Sequence, residues 1–331
     1  MKISSLIFFS LLSIFVFGQN GSLQQSSEIP KLIDTQVDSL PIVAEENELP
    51  LFHDFHIKYK LEEPNDSFEL PDKLKEISAL SFDDQFQKLY VVQDENGLVF
   101  IVDKKTGEVE QEIEFHKDGD YEGIEVVGEV VYIVKSTGTV YEVKNFGKED
   151  QEMEKYNLFL SRENDVEGLC FDPLKNKLLM ACKGVPATGE SFEVIRNKKV
   201  VYGFDIGTKE IDSIPVYNIQ LDGIEKCLHN STTIKDSEKL HAHFVSEEDL
   251  NFSPSGIAIH PQTKNVYVLS SAGKTMIVLN PEGEVIYIER LNKEIHRQPE
   301  GIAFDQDGTL YISNEGNKKV PAKIYRFDYN N

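Results

Sequence analysis

ISALSFD at residues 77–83, YEGIEVV at 121–127, VEGLCFD at 166–172, PSGIAIH at 254–260 and PEGIAFD at 299–305 are five versions of one seven-residue phrase. Each is followed, after a short turn, by a second apolar run: KLYVVQDENG, EVVYIVKSTG, KLLMACKG, NVYVLSSAG and TLYISNEGN. A turn between two such runs predicts a hairpin. Third runs follow, as in LVFIVDKKTGEV (98–109), VVYGFDIGTKEI (200–211) and MIVLNPEGEV (276–285), and then fourth runs, as in EQEIEF, DSIPVYNI and IYIERL. Four short antiparallel strands recurring every 40 to 50 residues or so predict an all-β fold, a β-propeller of four-stranded blades.

The second residues of the phrase, Ser78, Glu122, Glu167, Ser255 and Glu300, are separated by 44, 45, 88 and 45 residues. The interval of 88 leaves a sixth blade open. Residues 184–253 supply only one clear third and fourth strand, near 199–220, and the rest reads as polar insertion near 184–198 and 221–253, so five blades are preferred. The last unit stops after its third run, AKIYRFDY, while an orphan strand-like stretch, FHIKYKLE (55–62), precedes the first unit. Pairing of this N-terminal strand with the C-terminal blade would close the ring and remove its open edges.

The chain has 331 residues, 57 acidic against 34 basic, and a formal net charge of −23. Such a charge opposes binding to nucleic acid or to an anionic membrane surface. Lys2 followed by LIFFSLLSIFVFG reads as a secretory signal over residues 1–18, its apolar run too short to span a bilayer comfortably. Retention of that run as a membrane anchor is the competing reading. Residues 19–50, rich in Ser, Gln, Glu and Pro, read as a flexible linker, which leaves 51–331 for the propeller. The protein is thus expected outside the cytoplasm, periplasmic or extracellular, as a monomer. Cys170, Cys182 and Cys227 are an odd number and indicate no disulfide framework; buried thiols are favoured over a Cys170–Cys182 bridge.

In a propeller the first strand of each blade lines the central channel, so equivalent positions form a ring around the axis. Glu122, Glu167 and Glu300 would then meet at one level of a narrow passage, where repulsion and desolvation raise their pKa values or demand a cation. Oxygen-only ligands suit a hard ion such as calcium. Two residues earlier stand Glu76, Asp120, Asp165, Ser253 and Gln298, a mostly acidic second tier that is either solvated loop charge or part of the same field. Of these, Asp120 and Asp165 are weaker candidate ligands. The alternative for the three glutamates is that the repeat merely duplicates Glu-Gly, with Gly allowing close packing and Glu facing water.

The phrases YEGIEVVG, VEGL, PSGIAI and PEGIAFDQDGTLYISNEGN resemble the SdiA-regulated family of exported bacterial proteins, distantly similar to NHL-repeat propellers, over roughly residues 55–328. The resemblance implies a five-bladed propeller with a calcium site in its channel. It carries over Glu122, Glu167 and Glu300 as ion ligands, and more weakly Glu315. Two functions compete. One is a non-catalytic binding or structural module of the cell envelope, meeting an envelope protein or a small ligand at the channel mouth, with the 221–253 insertion as a cap over one mouth. The other is a calcium-dependent hydrolase of lactonase, esterase or phytase-like kind. A hydrolase needs a base near the metal. His53, His56, His116, His229, His241, His243, His260 and His296 all miss the ring position, and no phosphate loop, nucleophile elbow or His-Glu-x-x-His motif is present. No catalytic residue is assigned. Asp305, Asp307 and Gly308 have the look of an EF-hand start but lack its later ligands, and read as a hairpin turn.

Overall fold

A computed structural model describes residues 55–330, apart from 188, 190–194 and 246–249. The signal and linker readings and His53 lie outside the described residues. A short strand, β1 (Asp66–Glu69), precedes five sheets. Blade 1 is β2 (Ile77–Phe82), β3 (Lys88–Gln93), β4 (Leu98–Asp103) and β5 (Val109–Glu114). Blade 2 is β6 (Tyr121–Val127), β7 (Val130–Lys135), β8 (Val140–Lys144) and β9 (Glu152–Tyr156). Blade 3 is β10 (Val166–Asp172), β11 (Lys177–Cys182) and β12 (Lys198–Asp205), with its outer edge divided between β13 (Glu210–Ile211) and β14 (Tyr217–Gln220). Blade 4 is β15 (Pro254–Ile259), β16 (Val266–Ser270), β17 (Thr275–Leu279) and β18 (Val285–Arg290). Blade 5 is β19 (Pro299–Phe304), β20 (Leu310–Asn314) and β21 (Lys323–Phe327), completed by β1.

The five first strands β2, β6, β10, β15 and β19 touch in that order, and β19 touches β2, which closes a five-bladed ring. Among the described residues no sixth blade occupies the long interval. Side chains alternate across each strand, and both faces of every central strand meet a neighbouring blade. Hence β3, β7, β11, β16 and β20 are almost wholly buried. Leu80, Phe82 and Tyr311 pack between blades 5 and 1, and Val92, Ile124 and Tyr141 between blades 1 and 2. Val134, Leu169 and Phe204 pack between blades 2 and 3, and Leu179, Val268 and Ile312 belong to the cluster of blades 3 to 5.

In four blades the hairpin turn is held by the side chain of the phrase's last residue, Asp83, Asp172, His260 or Asp305; blade 2 has Val127 there. Asp305 Oδ1 accepts from the Asp307 and Thr309 N–H groups, each at 3.0 Å, so the EF-hand look-alike is a turn. Asp172 Oδ1 does the same for Leu174 and Lys175.

One expectation is corrected. Closure belongs to β1, with Asp66 opposite Arg326 and Phe68 opposite Ile324, and not to FHIKYKLE. β1 is an outer, largely exposed strand, so its backbone ladder suffices and no apolar alternation marks it. FHIKYKLE is instead an irregular strap. Its alternation reflects buried Tyr59 and Leu61: the Tyr59 hydroxyl donates to the Gly308 carbonyl at 2.6 Å, and His296 Nε2 meets the Leu61 carbonyl at 3.1 Å. The 221–253 insertion forms two helices, Leu221–Asn230 and Ser237–Phe244, of which the first packs on the outer strands β14 and β18. Ile224, Leu240 and Phe244 bury into the core there, so the described part of the insertion packs along blades 3 and 4. The three cysteines are free and buried.

Close approach of the first strands rests on the glycine that follows the ring residue. A Cβ on Gly256 would stand 2.2 Å from the Glu300 carbonyl oxygen, and one on Gly301 3.1 Å from Ala79 Cα. Gly256→Ala should therefore cost more than about 3 kcal/mol in urea unfolding, as overpacking against backbone that cannot yield. Gly128→Ala, at φ +61° but with nothing within 4 Å, should cost only about 1 kcal/mol. Similar losses at the two sites would disprove the crowding.

His260 and His296 are fully buried, and burial lowers both pKa values to about 4. His260 Nδ1 accepts from the Gln262 and Thr263 N–H groups, while its Nε2 and His296 Nδ1 have no partner. The unfolded chain protonates first, near pH 6.5, so the stability these rings allow is full above that pH and falls between about 6.5 and 4. His296→Gln, which keeps a donor for the Leu61 carbonyl, should flatten that part of the stability profile by on the order of 2 kcal/mol. A profile unchanged by the substitution would refute the assignment.

Candidate functional site

The first strands run side by side, so equivalent residues of the phrase stand at one end of the channel. There the ladder to the second strand is interrupted in every blade: between Ile77 and Ala79, Tyr121 and Gly123, Val166 and Gly168, Pro254 and Gly256, and Pro299 and Ile302. A bulge leaves a residue without a partner opposite and re-aims its side chain. The residues so released are Ser78, Glu122, Glu167, Ser255 and, together with Gly301, Glu300. The whole ring read from the sequence is thus the set of bulged residues. Ser78, Glu167, Ser255 and Glu300 are buried and Glu122 is half-buried. The Ser255 hydroxyl donates to the Pro299 carbonyl at 2.8 Å, which ties one first strand to the next.

The three glutamates lie within each other's field. Burial raises the Glu122 pKa far above the carboxylate range, and Glu167, Asp120 and Asp94 push it further. Glu300 is raised to about 8, first by burial and then by Glu315 and Glu167. Glu167 is also raised by burial, against the pull of Lys183, whose Nζ lies 2.8 Å from Glu167 Oε1 and 3.8 Å from the Asp165 carboxylate.

A second tier surrounds this ring. It combines the residue two before each ring position, Glu76, Asp120, Asp165, Ser253 and Gln298, with the residue just after each second strand, Asp94, Ser136, Lys183, Ser271 and Glu315. Backbone bonds join the pairs: Ser136 N–H donates to the Asp120 carbonyl at 3.1 Å, Lys183 N–H to Asp165 at 2.8 Å and Glu315 N–H to Gln298 at 3.0 Å. The Ser136 hydroxyl donates to the Asp120 carboxylate and the Gln298 amide to that of Glu315. Burial raises Glu315 to about 7, with Asp94 and Glu76 adding to it. Asp94 rises to about 6 for the same reason, beside Glu76, Glu95 and Asp120, and its Oδ1 is buried with no partner.

Asp94 and Lys183 escaped the sequence reading. The second strands end in QDENG, KSTG, CKG, SSAG and NEGN, which share position but no residue type. Counting from the end of each second strand was the available signal. The histidines lie elsewhere: His56 is exposed, His229, His241 and His243 are on the inserted helices, His116 stacks near Tyr141, and His260 and His296 are in the core.

As a donor set the site is oxygen-only, and the orphaned Asp94 Oδ1 and the crowded glutamates suit a hard cation such as calcium by their chemistry. As the side chains lie, no three His, Cys, Asp or Glu among the described residues stand together closely enough to hold one ion. Shared coordination therefore requires the glutamate side chains to turn toward a common point. Among the described residues, no helix is long and apolar enough to cross a membrane.

Comparison with known proteins places this geometry. Among solved structures, glutaminyl cyclase of Myxococcus xanthus is similar over 81% of this chain and 97% of its own, with a TM-score of 0.50 and 11% identity, a likeness of fold alone. A luciferin-regenerating enzyme matches over 76% of this chain and 91% of its own, with a TM-score of 0.46 and 13% identity. No curated protein matches in sequence. The SdiA-regulated family model matches residues 65–328, from the closing strand to the end of the last blade, and the chain belongs to that family.

Proposed function

We propose that the protein is an exported propeller that takes up calcium at the glutamate end of its channel and acts there as a binding or structural module of the cell envelope. The observation that carries this reading is uncompensated buried charge. Glu122, Glu167, Glu300, Asp94 and Glu315 are all pushed upward in pKa mainly by burial, and Lys183 is the one basic residue at the equivalent positions of the two tiers. Isolated negative charge withdrawn from water is unfavourable unless protonated or paired. A divalent cation supplies the missing counter-charge. Asp120 and Asp165 are the outer carboxylates available to it, and Glu315 faces the same field from blade 5. Export rests on the Lys2 and Leu6–Gly18 pattern, and calcium is abundant outside the cytoplasm.

The hydrolase reading uses the same carboxylates to polarise a substrate oxygen. At the equivalent positions of the two tiers there is neither histidine nor cysteine, so an enzyme would have to use a carboxylate as its base. The binding module requires no such group and is therefore preferred.

Calcium added to the purified protein should raise its melting temperature, and chelation should reverse the rise. Glu122→Gln combined with Glu300→Gln should weaken calcium binding by about tenfold or more in calorimetry. The same pair should raise the melting temperature of the calcium-free protein, because a buried like-charge cluster has been relieved. A wild-type protein whose melting ignores calcium would sink the metal site. Chelator-sensitive turnover of lactones, aryl esters or phytate, lost in Glu167→Gln, would replace the module by the hydrolase.

A further inference from the structure

At the opposite end of the channel, where the five first strands finish, lies a cavity of about 170 Å³. Roughly five waters would fill such a space. Its walls include Phe82, Phe86, Phe171, Ile257, Ile302 and Phe304. At the level of the repeat that faces it, the equivalent residues are Ser81, Glu125, Cys170, Ala258 and Ala303, so two blades leave room with alanine and one supplies a carboxyl group.

Glu125 Oε2 accepts from the Ser81 hydroxyl at 3.0 Å, and Oε1 from the Phe171 N–H at 3.1 Å. The Val126 N–H in turn donates to Ser81 Oγ at 3.2 Å, which fixes the pair. The surface Glu125 retains belongs to the cavity it lines, and burial raises its pKa to about 7. Among the described residues no cation pairs with it, and no Lys, Arg or His lines the cavity. Two ammonium groups stand near this rim, and both are engaged: Lys104 lies 3.7 Å from Asp305 and 5.7 Å from the Phe82 ring, and Lys175, whose charge reaches Cys170, is held by Asp172 at 2.8 Å. Asp83 and Asp84 stand at the mouth.

We propose that this cavity binds a small organic cation, a primary ammonium group on a short apolar body, with Glu125 as its counter-ion. Each carboxylate oxygen has a second lone-pair direction left for an N–H donor. Phenylalanine faces attract an ammonium and also accommodate its alkyl chain. An inorganic divalent ion is the poorer match, because both Glu125 oxygens already accept from protein donors and Asp83 Oδ1 at the mouth is taken by the Gln87 and Lys88 N–H groups, which leaves too few free oxygens for the six or so that calcium or magnesium demands. The acidic surface as a whole raises the local concentration of cations. This assignment is independent of the glutamate ring at the other end.

The test titrates n-butylammonium, n-butanol and butyrate into the purified full chain, read by calorimetry and by NMR. The expected result is saturable binding of one n-butylammonium per chain, n-butanol weaker by about tenfold or more, and no binding of butyrate. Glu125→Gln keeps the hydrogen-bonding shape and should lose most of the preference for the ammonium over the alcohol. Ala258→Leu, which fills the cavity, should abolish binding in a chain whose circular dichroism is unchanged. Glu167→Gln, at the other mouth, should leave binding as it was. Absence of n-butylammonium binding in the millimolar range, equal binding of the alcohol, or indifference to Glu125→Gln would each overturn the proposal.

Discussion

Everything in this molecule depends on how closely five first strands can approach one axis. A closed ring of only five blades brings their backbones together so tightly that glycine is required where β15 passes β19 and where β19 passes β2. At the same height each strand must bend, and the ladder interruptions beside Ser78, Glu122, Glu167, Ser255 and Glu300 let it do so. Bending and crowding share one solution, a bulged residue followed by a residue with little or no side chain. The bulged residue cannot bury itself in the interblade packing, so its side chain goes to the channel. Serine and glutamate at those positions are therefore a consequence of closure as well as the raw material of a site.

This explains which parts of the structure were legible in the sequence. Four of the five copies carry the glycine and three the turn-forming aspartate, over one apolar alternation, so together they revealed the blades and the ring residues at once. The neighbouring tier was less visible. Asp94, Ser136, Lys183 and Glu315 occupy one position after each second strand, but nothing in the geometry of that position restricts residue type, and so no repeated letter betrays it. The closing strand was misread for a related reason. DSFE earns its place by backbone pairing with β21 at an exposed edge, whereas FHIKYKLE alternates because Tyr59 and Leu61 are buried by a strap that makes no ladder. Hydrophobic alternation reports burial, and burial and strand formation coincide only where the sheet itself is covered. The inserted helices were hidden by polarity: CLHNSTTIKDSEKLHAHF buries only Cys227, Leu228, Ile234, Leu240 and Phe244, a sparse set that covers the outer edge of two blades.

The electrostatics follow from the same narrowness. A channel bounded by backbone and interblade hydrocarbon offers a carboxylate little water, which is why burial is the first cause of every upward pKa shift at the glutamate end. Lys183 relieves this only in part, since it is held by Glu167 and Asp165 and leaves Glu122 crowded by Asp120 and Asp94, and Glu300 by Glu315. On a wide, wet surface the same residues would be ordinary solvated charge. Here, withdrawn from water, they would be relieved by counter-charge, which is the ground for proposing a cation at this end.

The two ends of the channel then differ for a reason that lies in how repeats diverge. Duplication preserves what the backbone needs, so the glycine and the bulge recur around the axis. Side chains that point into the passage are free of that constraint once closure is secured. At one end they are carboxylates from several blades, and at the other, at the level of Glu125, they are otherwise serine, cysteine and alanine. A many-sided acidic end matches a small, highly charged ion that gathers oxygens from all around. A carboxylate that only one blade of five supplies at that level, beside phenylalanines, breaks the symmetry and matches a ligand with one charged end and one apolar end. The departures from the repeat, and not the repeat itself, determine what each end of the channel is suited to hold.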